Sequence, residues 1–278
     1  MALHETGSGP MQGKEPLRGR RIVVTRARAQ GEDFAREIEK LGGEVVEFPA
    51  IEIVPAQSYE RLDAAIQRLN AYHWVIFTSV NGVEHFWARL RKLGVDGQEF
   101  SRLKIAAIGP KTAEALAACG VKADLVPREY RAEAILRELG PQDVEGRRVL
   151  LPRAAKARDI LPETLREWGA EVDEIEAYRT VAANSDSARL RQELRANKID
   201  MVTFTSSSTV SYFAALFPQD AVAELLARTA VACIGPITEK TAREVGIRVD
   251  VVAEQYTVPG LTRAIVEYFK RQQAKGNS

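Results

Sequence analysis

A chain of 278 residues is long for one ordinary domain and comfortable for two, each large enough to bury its own core. Hydrophobic residues make up 45% and charged residues 28%, with 39 Lys+Arg against 38 Asp+Glu. That balance excludes fibrous and disordered chains, and a net charge of +1 gives no basic field for nucleic acid or an anionic membrane surface.

Residues 1–18 contain Gly7, Gly9, Pro10, Gly13 and Pro16 and lack the apolar run of a signal peptide, so they read as a flexible tail. No apolar stretch reaches the ~20 residues of a membrane-spanning helix. Cys119 and Cys233 stand far apart in apolar surroundings and are expected as buried free thiols in a reducing cytoplasm.

In chain order, the β-branched run Ile22 to Thr25 predicts a strand and the amphipathic stretch ending at Leu41-Gly42 a helix, since glycine just past a helix end is the usual stop. Val45 to Phe48 predicts a second strand, and Pro49 and Pro55 make the following segment an extended linker. Trp74 to Phe77 predicts a strand that steps through Thr78-Ser79 into a helix. Ile105 to Ile108 predicts another, leading through Gly109-Pro110-Lys111-Thr112 into a helix and then an apolar strand before Tyr130. The order then recurs. Val149 to Leu151, a helix ending at Trp168-Gly169, Val172 to Ile175 and the extended Glu176 to Ala183 are followed by Met201 to Phe204, a helix after Thr205-Ser206, and Val231 to Ile234. Gly235-Pro236-Ile237-Thr238 then opens a helix that precedes an apolar strand before Tyr256. Strands alternating with helices at this spacing predict an α/β fold of doubly wound parallel sheets.

The recurrence is visible residue by residue. Gly19 to Ala56 matches Gly146 to Ala183 without a gap, with twelve identities in 38 positions, where ordinary composition gives about two. His73 to Phe86 matches Asp200 to Phe213, and Ala106 to Tyr130 matches Ala232 to Tyr256, both of the latter carrying I-G-P-x-T, G-x-x-x-D and a tyrosine. The chain therefore reads A-B-A-B. Two tandem domains cut near Gly140-Pro141 would satisfy this, and so would an interleaved pair in which the first A joins the last B around an inserted B-A domain.

Ligands of open parallel sheets collect at the carboxyl ends of the strands, where helix N-termini direct their free N–H groups. Small hydroxyl residues and cations gather there: Thr25-Arg26, Thr78-Ser79-Val80-Asn81, Lys111-Thr112, Pro152-Arg153, Thr205-Ser206-Ser207-Ser208 and Thr238. Helix capping explains any one of them. Six sites from both copies, with Arg26, Lys111, Arg153 and Arg158, point to a ligand bearing several carboxylates or phosphates. No dinucleotide or P-loop glycine motif follows a strand, no G-x-S-x-G elbow is present, and His4, His73 and His85 have no metal-ligand spacing. His73 and His85 read as surface or satisfied core residues.

The motifs F-T-S-V-N-G-V (Phe77 to Val83), A-I-G-P-K-T-A (Ala107 to Ala113), L-P-R-A (Leu151 to Ala154), A-Y-R-T (Ala177 to Thr180), F-T-S-S-S-T-V (Phe204 to Val210), I-G-P-I-T-E-K-T-A (Ile234 to Ala242) and Y-T-V-P-G-L (Tyr256 to Leu261) occur in this order. As an ensemble the chain resembles the uroporphyrinogen-III synthases from about Arg21 to Leu261. The resemblance implies two α/β domains in the interleaved arrangement: 19–49 with 184–270, and 57–176, joined by linker strands 50–56 and 177–183. It implies cyclisation of hydroxymethylbilane, a linear tetrapyrrole polycarboxylate, with loss of water and reversal of ring D, and no cofactor or metal. Tyr178 corresponds to the tyrosine that the family places in its cleft to assist departure of the hydroxyl. Thr112 and Thr238, with the N–H groups around them and around Ser79 and Ser206, are implied carboxylate binders. Thr25, Arg26, Thr78, Asn81, Lys111, Arg153, Thr205 and Ser207 complete the expected binding set. A cytoplasmic monomer is expected, with no nucleic-acid or membrane partner. A non-catalytic two-domain binding protein for an anionic small molecule is the alternative from another class, and a phosphosugar-binding enzyme a third.

Overall fold

The structure, a computed structural model, describes residues 15–95, 100, 102–155, 159–218 and 221–276. Most of the expected tail, together with His4 and Arg158, lies outside the described residues. The chain divides into two compact units. One runs up to Glu52 and resumes at Val181, and the other is Ile53–Thr180.

Among the described residues the elements begin β1 (Arg21–Val24), α1 (Arg28–Lys40), β2 (Glu44–Glu47), β3 (Ile51–Pro55), α2 (Glu60–Ile66), β4 (Trp74–Phe77) and α3 (Val80–Leu93). They continue through β5 (Lys104–Ala107), α4 (Pro110–Ala118), α5 (Ala132–Leu139), β6 (Arg148–Ala154), α6 (Ile160–Glu167) and β7 (Glu171–Ala182). The last third holds α7 (Ser187–Arg195), β8 (Met201–Phe204), α8 (Ser207–Ala215), α9 (Val222–Leu225), β9 (Ala230–Cys233), α10 (Pro236–Glu244), β10 (Val251–Val252) and α11 (Val258–Gly276). No helix among the described residues is long and apolar enough to cross a membrane.

The strands form two five-stranded sheets, ordered β10-β9-β8-β1-β2 and β3-β7-β6-β4-β5, in the α/β class that the alternating pattern predicts. Pairing runs across the repeats: Val23 of the first A faces Val202 of the last B, and Val75 of the first B faces Leu150 of the second A, both in parallel register. The longer β7 and the short β3 share one sheet and each crosses a unit boundary in sequence.

Period-2 alternation sends successive side chains of the central strands into different cores. In one unit Val23, Val202 and Phe204 join the cluster of Phe213 and Phe217, while Ile22, Val24 and Met201 join that of Phe34 and Phe269. In the other, Val75 and Phe77 pack with Phe86 and Trp87, and Trp74 and Ile76 pack with Ile135 and Leu165.

Two expectations need correction. The tail stops short of residue 18. Leu17 is fully buried in the cluster of Ile22 and Ile38, and its amide donates to the Leu41 carbonyl at 2.9 Å, because an apolar side chain there finds an open core to enter. The apolar strand before Tyr130 is reduced to one isolated parallel bridge between Ala106 and Leu125, although its counterpart is β10. Two valines follow the aspartate in β10, whereas Leu125-Val126 runs into Pro127, which has no amide to donate to a ladder.

The G-x-x-x-D motif proves structural in both copies. Asp124 accepts the Ile105 amide at 2.8 Å and Asp250 accepts the Val231 amide at 2.9 Å, securing the amino-terminal ends of β5 and β9.

Candidate active site

In the continuous unit, the carboxyl end of β4 passes through Thr78 to Ser79, the N-cap of α3. Ser79 Oγ accepts the Gly82 amide at 2.9 Å, satisfying one of the N–H groups that a helix start leaves open. The same oxygen lies 3.0 Å from the Tyr178 hydroxyl, in a geometry that lets either group donate. A β carbon at Gly82 would meet the Pro152 carbonyl oxygen at 3.0 Å, so the absence of a side chain there is what lets α3 start against β6.

Tyr178 owes its direction to a β-bulge. The register of β6 and β7 pairs Arg153 with Glu176 but Ala154 with Tyr178, so one residue of β7 is extra. In a regular strand Ala177 and Tyr178 would face opposite sides. Here both are buried in the same cluster as Phe77, Val83 and Phe86, and Tyr178 is 6% exposed. Its ring stacks on the His85 imidazole from α3, with centroids 5.5 Å apart and planes 25° from parallel. Burial lowers the His85 pKa from its ordinary value, against a smaller opposing effect of Glu84. The repeat of Tyr178 is Ile51 and that of His85 is Tyr212, so this pair exists in one copy alone.

The two I-G-P-x-T segments form matching helix starts. Gly109 and Gly235 are N-caps of α4 and α10, each followed by proline at the first helical position. Both glycines have extended backbone, and tyrosine rings explain their identity. A β carbon would lie 3.1 Å from the Tyr130 ring at Gly109 and 3.0 Å from the Tyr256 ring at Gly235.

Thr112 and Thr238 stand three residues after these glycines, 3% and 4% exposed. The other buried threonines all have internal partners: Thr25 with the Thr203 carbonyl, Thr203 with that of Val23, Thr209 with Ser206, Thr229 with Ile199 and Thr262 with Glu37. Thr112 and Thr238 have no hydrogen bond among the described residues. Their hydroxyl oxygens are not sealed from solvent and so are open to a ligand, and the two occupy equivalent places beside helix N-termini where an anion is favoured.

The equivalent arginines have diverged. Arg153 lies inside β6, 8% exposed, and its guanidinium donates to Glu174 at 2.6 Å, with Arg166 on the other carboxylate oxygen at 2.7 Å. Arg26 follows the shorter β1 in a loop, and no hydrogen bond or ion pair ties it among the described residues. Burial lowers its pKa from the ordinary value, opposed by the field of Asp33, yet leaves it a cation. Glu47, the repeat of Glu174, is exposed.

Of the remaining expected residues, Thr25 spends its hydroxyl inside the sheet, and Lys111 is exposed with Glu114 at 2.8 Å. Thr78, Asn81 and Thr205 are half-buried at the strand–helix junctions. Ser206 forms a capping box with Thr209 and contacts Ser208 at 2.9 Å, while Ser207 accepts from Thr241 at 2.8 Å. Sequence reasoning missed His85, whose place six residues after the capping Ser79, on the helix face of Gly82, is the signal that could have found it.

A family model described as uroporphyrinogen-III synthase HemD matches residues 32–263. The chain is 36% identical to the uroporphyrinogen-III synthase of Synechococcus elongatus, over 93% of this chain and 98% of that one. It is 28% identical to the enzyme of that name from Escherichia coli, over 88% and 99%. Among solved structures, a mutant uroporphyrinogen-III synthase from Thermus thermophilus superposes with a TM-score of 0.66 at 21% identity, covering 91% of this chain and 99% of that one. At that identity the superposition speaks to the fold.

Proposed function

The chain belongs to the uroporphyrinogen-III synthase family, hydro-lyases of porphyrin biosynthesis acting on hydroxymethylbilane, and on that premise we propose that Tyr178 is its proton donor and that Thr112, Thr238 and Arg26 bind substrate carboxylates. The observation that carries the reading is the 3.0 Å contact of the Tyr178 hydroxyl with the capping oxygen of Ser79.

Ser79 receives the Gly82 amide and keeps one proton of its own to donate. When that proton points to the phenol oxygen, the Tyr178 O–H is left to donate outward. The proton passes to the terminal hydroxyl of the bilane, the C–O bond breaks with help from the pyrrole nitrogen lone pair, and water leaves. The ring A cation then attacks the substituted carbon of ring D, and the resulting spiro intermediate reopens and closes with ring D reversed. The final loss of a ring proton restores the phenol, so the donor is regenerated.

Unassisted closure gives the symmetric isomer I, so the protein must hold a flexible polyanion in the less accessible geometry. Two threonines at helix N-termini and an arginine, none of them with a hydrogen-bonding side-chain partner among the described residues, are suited to that task. Lys111, Ser206 and the amides near them belong to the same proposed set, and a monomeric, cytoplasmic chain is part of the proposal. Incubating the purified chain with freshly generated hydroxymethylbilane, oxidising the products and resolving the porphyrin isomers tests the reading. A clear excess of isomer III over an enzyme-free control is expected, and isomer I alone from folded protein would refute it.

A further inference from the structure

The Tyr178 phenol has two kinds of neighbour at its working end: a hydroxyl that fixes its oxygen and an aromatic face that fixes its ring. The first is Ser79 and the second is His85, stacked at 5.5 Å and 25°. Neither imidazole nitrogen makes a hydrogen bond among the described residues, so His85 meets the tyrosine through its π face and not through a proton. Burial lowers the pKa of that ring and so favours its uncharged form. Tyr178 also sits at a bulge, where the extra residue leaves the local ladder interrupted and the strand less able to hold a side chain's direction by itself.

We infer that His85 is a positioning residue for the reaction, its imidazole face blocking the tilt of the phenol that would carry the Tyr178 hydroxyl away from Ser79. The inference rests on the reading of Tyr178 as proton donor. An aromatic plane in offset contact restrains a neighbouring ring in a way that an aliphatic side chain of similar size does not. A misplacement of about 1 Å at a reacting group is enough to lower a rate by one to two orders of magnitude. His85 acts through Tyr178 and forms no bond to substrate.

The test measures kcat and KM for hydroxymethylbilane in His85→Ala, His85→Leu and His85→Phe, each alone and on a Tyr178→Phe background, with thermal midpoints recorded for all. His85→Ala is expected to lower kcat about tenfold with KM within about twofold, His85→Leu to behave like it, and His85→Phe to restore the rate to within about twofold of the parent. On the Tyr178→Phe background the alanine and leucine changes should cost nothing further, because coupled residues are not additive. If His85→Ala does not fold, His85→Leu carries the comparison. Parent kcat in the folded alanine or leucine variant overturns the inference, as does a phenylalanine variant as slow as the leucine one, or an undiminished loss on the Tyr178→Phe background. A slow Tyr178→Phe beside a full-rate His85→Leu rejects the positioning role and keeps the donor, whereas a full-rate Tyr178→Phe rejects both.

Discussion

Ser79 Oγ lies 2.9 Å from the Gly82 amide and 3.0 Å from the Tyr178 hydroxyl, so one side chain both caps a helix and contacts the phenol. Ser79→Ala removes both bonds. It is expected to destabilise the unit by about 1 kcal/mol through the lost cap and to slow isomer-III formation about tenfold or more as the phenol loses its partner. Ser79→Thr, which keeps the hydroxyl, should recover most of both. Denaturant midpoints and initial rates check this, and a full-rate alanine variant would separate the cap from the chemistry.

Gly235 and Tyr256 make a second paired prediction. An alanine β carbon at 235 would stand 3.0 Å from the ring, and the rigid tyrosine must move to admit it. Gly235→Ala is expected to lower stability by ~1–3 kcal/mol, the usual penalty for forcing volume into a packed contact. Adding Tyr256→Leu should recover part of that loss, and additive losses in a chemical denaturation cycle would show that the ring is not the obstacle.

Glu174 holds Arg153 and Arg166 together. Glu174→Ala removes the 2.6 Å partner of the nearly buried Arg153, whose guanidinium also lies 3.7 Å from the exposed Asp159. With Glu174 itself partly solvent-screened, a loss of about 1–3 kcal/mol is expected. Glu47→Ala, at the repeat position in the other unit, should change stability by less than about 0.5 kcal/mol. Equal effects at the two sites would contradict the divergence of the arginines.

Both thiols are raised by burial, Cys233 to about 12 and half-buried Cys119 by less. A raised pKa keeps the thiol protonated and slow to react at pH 8. A maleimide reagent should therefore label Cys119 first and slowly, and Cys233 only on unfolding. Fast labelling of Cys233 in native protein would show that its core opens.

Much of the fold was legible because the central strands are short apolar runs whose ends lie within a residue or two of β1, β4, β8 and β9. The repeat made corresponding strands recognisable, but it could not by itself choose a partner for β1, since both copies offer similar surfaces. That choice appears in the register of Val23 with Val202. Tyr178 was found through its A-Y-R-T setting. The bulge that turns it into the core is invisible to period-2 reasoning, which places it opposite Ala177. Thr112 and Thr238 are named as carboxylate binders through the resemblance, since capping alone accounts for a threonine at a helix start, and that their hydroxyls have no hydrogen bond among the described residues becomes apparent only when every other buried threonine is accounted for. His85 carries only the weak signal of its helical spacing from Gly82, and its meaning appears once the Tyr178 ring beneath it is known.

The most direct test of the central claim is the initial rate of isomer-III formation by Tyr178→Phe, compared with the parent chain at matched folding. A fall of ~10–10²-fold is expected, since an acid contributes up to about 10²–10⁴ and water substitutes in part. An unchanged rate in the folded variant would contradict the assignment of Tyr178 as the proton donor.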